Sequence, residues 1–252
     1  MDITIEVCCQ SASDVFTAVK CGADRVELNS ALFFGGLTPS VGSVEFIREY
    51  TNIPIMVMVR PREGGFSYTR DELEIMVKDI RALLNAGADG IVFGCLRQNG
   101  TIDESACMRL LDEIGNHTSV FHRAFDMIGD NFEPAIDTLV RLGVSRVLTS
   151  GCAYTATAGI PRLRQIKAYA GNDIDILPCG KIRADNAARI MRETGINSVH
   201  TSATTEELDV TGEYNEAVSF VGKELPRSGA YTGCNGDILS HFVKTVRGSM
   251  RL

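Results

Sequence analysis

The chain has 252 residues, of which 44% are hydrophobic, and a formal net charge of −7 at pH 7. That is enough apolar material for one large core, and the charges are interspersed without a basic block, which argues against nucleic acid as a partner. No run reaches 18 apolar residues, and the start lacks the charged and apolar regions of a signal peptide, so the expectation is a cytoplasmic protein with no membrane span.

In chain order, the first β-branched run is 3–8. A helical apolar pattern follows and stops at Gly22, where Cys21-Gly22-Ala23-Asp24-Arg25-Val26-Glu27-Leu28-Asn29 opens a second strand. The phrase returns at Gly87, Gly143 and Gly195, each time after a helical pattern and before a short β-branched run. Glycine ends a helix well because the left-handed conformation carries no Cβ penalty there. Runs at 55–59, 119–122 and 174–177 fill the gaps. Eight strands alternating with helices predict an α/β fold, a single-domain (β/α)8 TIM barrel. From Ala203 to Gly236 the chain is polar and contains glycine, with an apolar patch only at 217–221. A connection this long leaving the last strand is expected to cover the barrel mouth or meet a neighbouring subunit. A helix at about 237–246 then closes the ring.

Period-2 alternation assigns the faces. Val26, Ile91, Val147 and Val199 point to the helices, so Glu27, Val92, Leu148 and His200 point inward. One step nearer the mouth lie Asn29, Gly94, Ser150 and Ser202, a layer of small or polar residues that leaves a cavity at the C-terminal face. The first strand adds Glu6 and Cys8, the third ends with Arg60 on the Met58 face, and the fifth ends with His122. Glu6, Glu27 and His122 are the acid–base candidates. Arg60, Arg62, Arg123, Asp126, Ser150, His200 and Ser202 are the ligand-binding candidates, with the arginines placed to hold an anion. Two buried carboxylates need partners, and Arg60 is the cation expected to neutralise Glu6 and Glu27. The 179–186 loop, with Gly180, Lys181 and Arg183, occupies the place where many barrels bind phosphate. His117 and His241 are expected at the surface or in packing. Eight scattered cysteines without a CxxC read as reduced thiols, most of them small buried apolar residues.

Ile5-Glu6-Val7-Cys8, Gly22 to Leu28, Gly35-Gly36-Leu37-Thr38-Pro39-Ser40, Arg60-Pro61-Arg62, Phe121-His122-Arg123-Ala124-Phe125-Asp126 and Arg146 to Gly151 together resemble the CutC family. The resemblance runs over nearly the whole chain to Ser202. It implies a TIM barrel, a cytoplasmic homo-oligomer (dimer or tetramer) and a role in copper homeostasis. It also implies Cu(I) as a possible cofactor, with Cys8 at a proposed copper ligand. A second proposed cysteine lies just after the Glu-Leu of strand 2, where this chain has Asn29. Cys95, Cys152, Cys179 or a histidine could supply a substitute donor. Two readings stay open: a copper-binding homeostasis protein anchored on Cys8, and an enzyme of unknown reaction on a small anionic metabolite.

Overall fold

The computed structural model describes residues 3–215, 217–218 and 229–249. Eight parallel strands form the barrel: β1 (Thr4–Cys9), β2 (Arg25–Leu28), β3 (Ile55–Met58), β4 (Gly90–Phe93), β5 (Thr118–Phe121), β6 (Arg146–Thr149), β7 (Asp175–Pro178) and β8 (Ser198–Thr201). Their order is β7-β6-β5-β4-β3-β2-β1-β8. β7 packs beside β8, and the Ser198 hydroxyl donates to the Ile176 carbonyl at 3.5 Å across that seam. The ring is a TIM barrel of one domain, as the repeat predicts.

Eight helices surround it: α1 (Ala12–Cys21), α2 (Val41–Arg48), α3 (Arg70–Asn85), α4 (Glu104–Ile114), α5 (Phe132–Arg141), α6 (Ala156–Ala170), α7 (Ala187–Thr194) and α8 (Gly236–Ser249). The four echo glycines all have positive φ, and Gly22 caps α1 by donating to the carbonyls of Ala18 and Val19. Serine, threonine or aspartate side chains cap α1, α2, α3, α4 and α6 by accepting from the first-turn N–H groups.

Ile5, Val7, Val26, Ile91, Val147 and Val199 are fully buried in the layer between strands and helices. A separate apolar cluster, which includes Met58, Val92, Val120, Leu148 and Leu177, lines the barrel interior on the β3–β7 side. The interior over β8, β1 and β2 is instead polar, holding Glu6, Glu27 and His200 at 2%, 3% and 9% exposure. That asymmetry places the site.

After β8 the chain forms an antiparallel hairpin, β9 (Thr204–Leu208) with β10 (Ala230–Cys234). It packs against the end of β1 and against α1. The Gln10 amide donates to the Thr232 hydroxyl at 2.6 Å, and the Cys234 N–H donates to Asp14 Oδ1 at 2.8 Å. The apolar patch expected at 217–221 falls mostly outside the described residues. No helix among the described residues is long and apolar enough to cross a membrane.

Candidate functional site

Register builds the polar half of the interior. Parallel pairing sets Glu6 beside Arg25 on β2 and beside His200 on β8, and sets Cys8 beside Glu27. Side chains of one parity on three adjacent strands therefore meet. His200 Nδ1 donates to Glu6 Oε1 at 2.7 Å. The other Glu6 oxygen takes an ion pair from Arg25 Nε, with Arg146 Nη1 at 3.9 Å. His200 Nε2 lies 3.8 Å from Glu27 Oε2, which also accepts from the Asn29 amide at 2.8 Å and the Cys8 thiol at 3.5 Å. Glu27 Oε1 has no hydrogen-bond partner among the described residues.

Electrostatics divides the two carboxyls. Burial alone would raise Glu6, but His200, Arg25 and Arg146 outweigh it and hold the carboxyl down at about 2. Burial pushes Glu27 up, and neighbouring Glu6 adds to this against the opposing pull of His200, Asn29 and Cys8. Burial would lower His200, yet Glu27 and Glu6 override it and raise its proton affinity. The Cys8 thiol is pushed well up by burial and by the Glu27 charge.

Above this floor lies a cavity of about 280 Å³ at the C-terminal ends of the strands. Cys8, Glu27, Asn29, Arg60, His122, Arg123, His200 and Ser202 line it, with Met58, Phe66, Leu148 and Cys179 as apolar wall. Most of the candidates thus converge. Glu6 lies beneath the cavity as the partner of His200, not on its wall.

Four expectations need correction. Arg60 does not pair with Glu6 or Glu27. Its guanidinium donates to the carbonyls of Phe34 (2.8 Å), Gly36 (3.0 Å) and Gly64 (2.8 Å), and stands 5.1 Å from the Phe66 ring centroid. The cations that neutralise Glu6 are Arg25 and Arg146. Sequence reasoning missed both, although they share the parity of Glu27 and Leu148 one layer lower. Arg62 faces away from the cavity, because it pairs with Glu72 and donates to the Ser67 carbonyl at 2.9 Å. Asp126 and Ser150 bind each other instead of a ligand. Asp126 accepts from the Ser150 N–H (3.0 Å), the Thr149 hydroxyl (2.5 Å) and the Cys152 N–H (3.1 Å), which satisfies the backbone turn after β6. His122 is no imidazolium acid at neutral pH and only a weak base. Burial and the adjacent Arg60 charge push it down to about 3, so it is a neutral ring. Gly94 makes room for that ring: a Cβ there would collide with it.

Of the substitute sulfur donors, Cys179 lines the cavity, while Cys95 packs in the outer core and Cys152 lies against the Phe125 carbonyl at 3.9 Å. One atom each from Cys8, Glu27 and His200 lie within 4.8 Å of one another. At Asn29, an amide N–H faces the Cys8 sulfur at 3.6 Å, and a donor cannot ligate a metal there. Lys181 and Arg183 are exposed, with the Lys181 ammonium 4.0 Å from the Tyr154 ring centroid.

The chain is similar to known proteins. The model of the CutC family matches residues 3–205. A CutC family protein of Treponema denticola is 37% identical over 245 residues, covering 97% of this chain and 99% of that one. The copper homeostasis protein cutC homolog of Homo sapiens is 42% identical over 199 residues, covering 79% and 72%. A CutC crystal structure from Streptococcus agalactiae superposes with a TM-score of 0.76 at 35% identity, covering 79% of this chain and 97% of the other.

Proposed function

We propose a function for this protein from the premise that the chain belongs to the CutC family: the barrel mouth is a small-molecule site that performs acid–base chemistry. One observation carries this reading. Buried Glu6 holds His200 by Nδ1 at 2.7 Å and leaves Nε2 at the cavity floor beside Glu27. Glu27 and Glu6 raise the proton affinity of His200 against burial and Arg25, which suits its Nε2 to hold and deliver a proton. Glu27, with raised basicity and a free oxygen, takes one up. An acid and a base whose environments push their proton affinities in useful directions define such a site. The substrate class is a small polar metabolite, because the cavity is at the low end of ligand-sized pockets.

The test is exchange of solvent deuterium into small hydroxy and oxo acids, followed by proton NMR. Glu27→Gln is expected to lower the rate at least a hundredfold, in the range of general-base removal. Exchange that survives Glu27→Gln, or no exchange across the panel, ends the reading.

A second reading takes Cu(I) as cargo, and it is favoured by the proximity of Cys8, Glu27 and His200. The donor set fits it poorly. Cu(I) prefers thiolate and thioether sulfur, and here there is one thiol held protonated, a hard carboxylate and one imidazole. An anaerobic competition titration is expected to show weak Cu(I) binding that Cys8→Ser barely changes. One tightly held copper per chain, lost on Cys8→Ser, would restore the copper reading. The eight free thiols support a reducing, cytoplasmic setting. The exposed side chains Phe46 and Tyr50, packed at 5.1 Å between ring centroids, support self-association.

A further inference from the structure

Arg60 is 5% exposed and lines the cavity, yet it makes no ion pair among the described residues. Its Nη1 and Nη2 donate to three loop carbonyls, and its Nε carries a proton with no partner. The backbone is pinned as well: Arg60 N–H donates to the Thr38 hydroxyl at 2.9 Å, and the Thr38 N–H donates back to the Arg60 carbonyl at 3.1 Å. A buried guanidinium faced by carbonyl dipoles, the Phe66 ring and the Tyr68 hydroxyl, with no carboxylate paired to it among the described residues, leaves a net positive charge in a low-dielectric wall.

The neighbouring wall residue has a matching deficit. His122 Nδ1 accepts from the Ala124 N–H at 3.0 Å, which puts the ring proton on Nε2. Nε2 is buried without a partner. Arg60 and His122 both pack on Phe66, at 5.1 Å and 4.9 Å from its ring centroid. Two unpartnered N–H groups, one on a cation, therefore border one apolar ring at the edge of the cavity. The other cations on the wall are already engaged or exposed. Arg123 pairs with Asp126 at 2.8 Å, and Lys181 and Arg183 reach solvent.

We propose that Arg60 and His122 form an anion subsite that binds the carboxylate of a small hydroxy or oxo acid, holding its reactive end toward Glu27 and His200. The proposal rests on the acid–base reading above and names its substrate class. One buried cation and one neutral donor match a singly charged carboxylate. A phosphate dianion calls for a larger array of donors, such as a run of backbone N–H groups at a helix N-terminus.

The probes are lactate, pyruvate and inorganic phosphate, titrated calorimetrically into the intact chain while the histidine side-chain 15N signals are followed. Saturable one-to-one binding of lactate or pyruvate is expected, with the His122 Nε2 signal shifting on saturation. Arg60→Met is expected to weaken binding at least tenfold. Because Arg60 also ties two loops together, His122→Phe serves as the second variant: it keeps the ring on Phe66, removes the donor and should weaken binding several-fold. No saturable binding of either acid, binding that leaves the His122 signal unmoved, or phosphate binding that neither acid displaces would each overturn the subsite. Glu27→Gln separates the two claims. Carboxylate binding kept with no exchange in any variant leaves the subsite standing and removes the acid–base reading. Exchange into neutral compounds alone, lost on Glu27→Gln, does the reverse.

Discussion

Buried polar residues in this barrel differ in what satisfies them, and that decides their roles. His122 is the clearest case. Its ring accepts from a backbone N–H, faces the Arg60 charge and is held neutral, with a value near 3 against the usual 6.5. The folded state therefore refuses a proton that the unfolded chain binds. Stability contributed by the neutral ring is present above about pH 6.5 and is lost as pH falls toward 3, at about 1.4 kcal/mol per pH unit for one proton. We expect His122→Phe to lose this part of the acid limb. Urea unfolding at about pH 6 and pH 5 should show the wild type losing more stability than the variant between the two. That interval lies above the ordinary range of Glu6, which contributes stability only above its unfolded value of 4.5 and loses it toward 2. Equal slopes for the two proteins would mean that His122 titrates normally.

At the level of elements, alternation placed Glu6, Cys8, Glu27, Asn29, Arg60, His122 and His200 on the inner face from sequence alone. Loops are different, because no period governs them. Arg62 has the composition of an anion-binding residue but belongs to the start of α3. There Thr69 and Glu72 form a reciprocal capping box: the Glu72 N–H donates to the Thr69 hydroxyl at 3.2 Å, and the Thr69 N–H donates to Glu72 Oε2 at 2.7 Å. Arg62 pairs with that same Glu72. Thr69→Ala is expected to cost about 1 kcal/mol, measured by denaturant unfolding, while carboxylate binding at Arg60 stays unchanged. A loss of binding would put Arg62 and the start of α3 in the site after all. Asp126 was misjudged for a similar reason. A carboxylate at a strand end looks available to ligand until the N–H groups of the next turn claim it.

Across the whole molecule, the barrel keeps a charged plug where apolar side chains would fill the same space. Glu6, Arg25 and Arg146 lie beneath the cavity and are absent from its wall, and Glu6 joins Glu27 in raising the proton affinity of His200. Removing one member of a buried ion pair is destabilising, whereas replacing the whole set by apolar residues of similar volume is often neutral or stabilising by about 1–4 kcal/mol. The triple variant Glu6→Leu, Arg25→Met, Arg146→Leu is therefore expected to unfold at the same or a higher denaturant concentration and to lose deuterium exchange. A fall of more than about 3 kcal/mol would mean that the plug is needed for the fold itself. The chain alone determined the eight-fold alternation, the helix ends at Gly22, Gly87, Gly143 and Gly195, and the parity of every inward residue, because these depend on local backbone preference and a period of two. Only the tertiary structure decided which charges meet. Glu6 finds Arg25 and His200 through the register of three strands distant in sequence, and Arg146 through barrel closure. Arg60 finds carbonyls carried in by two loops. Partner choice is set by distances of a few ångströms between segments far apart in the chain, and nothing in a local pattern encodes those distances.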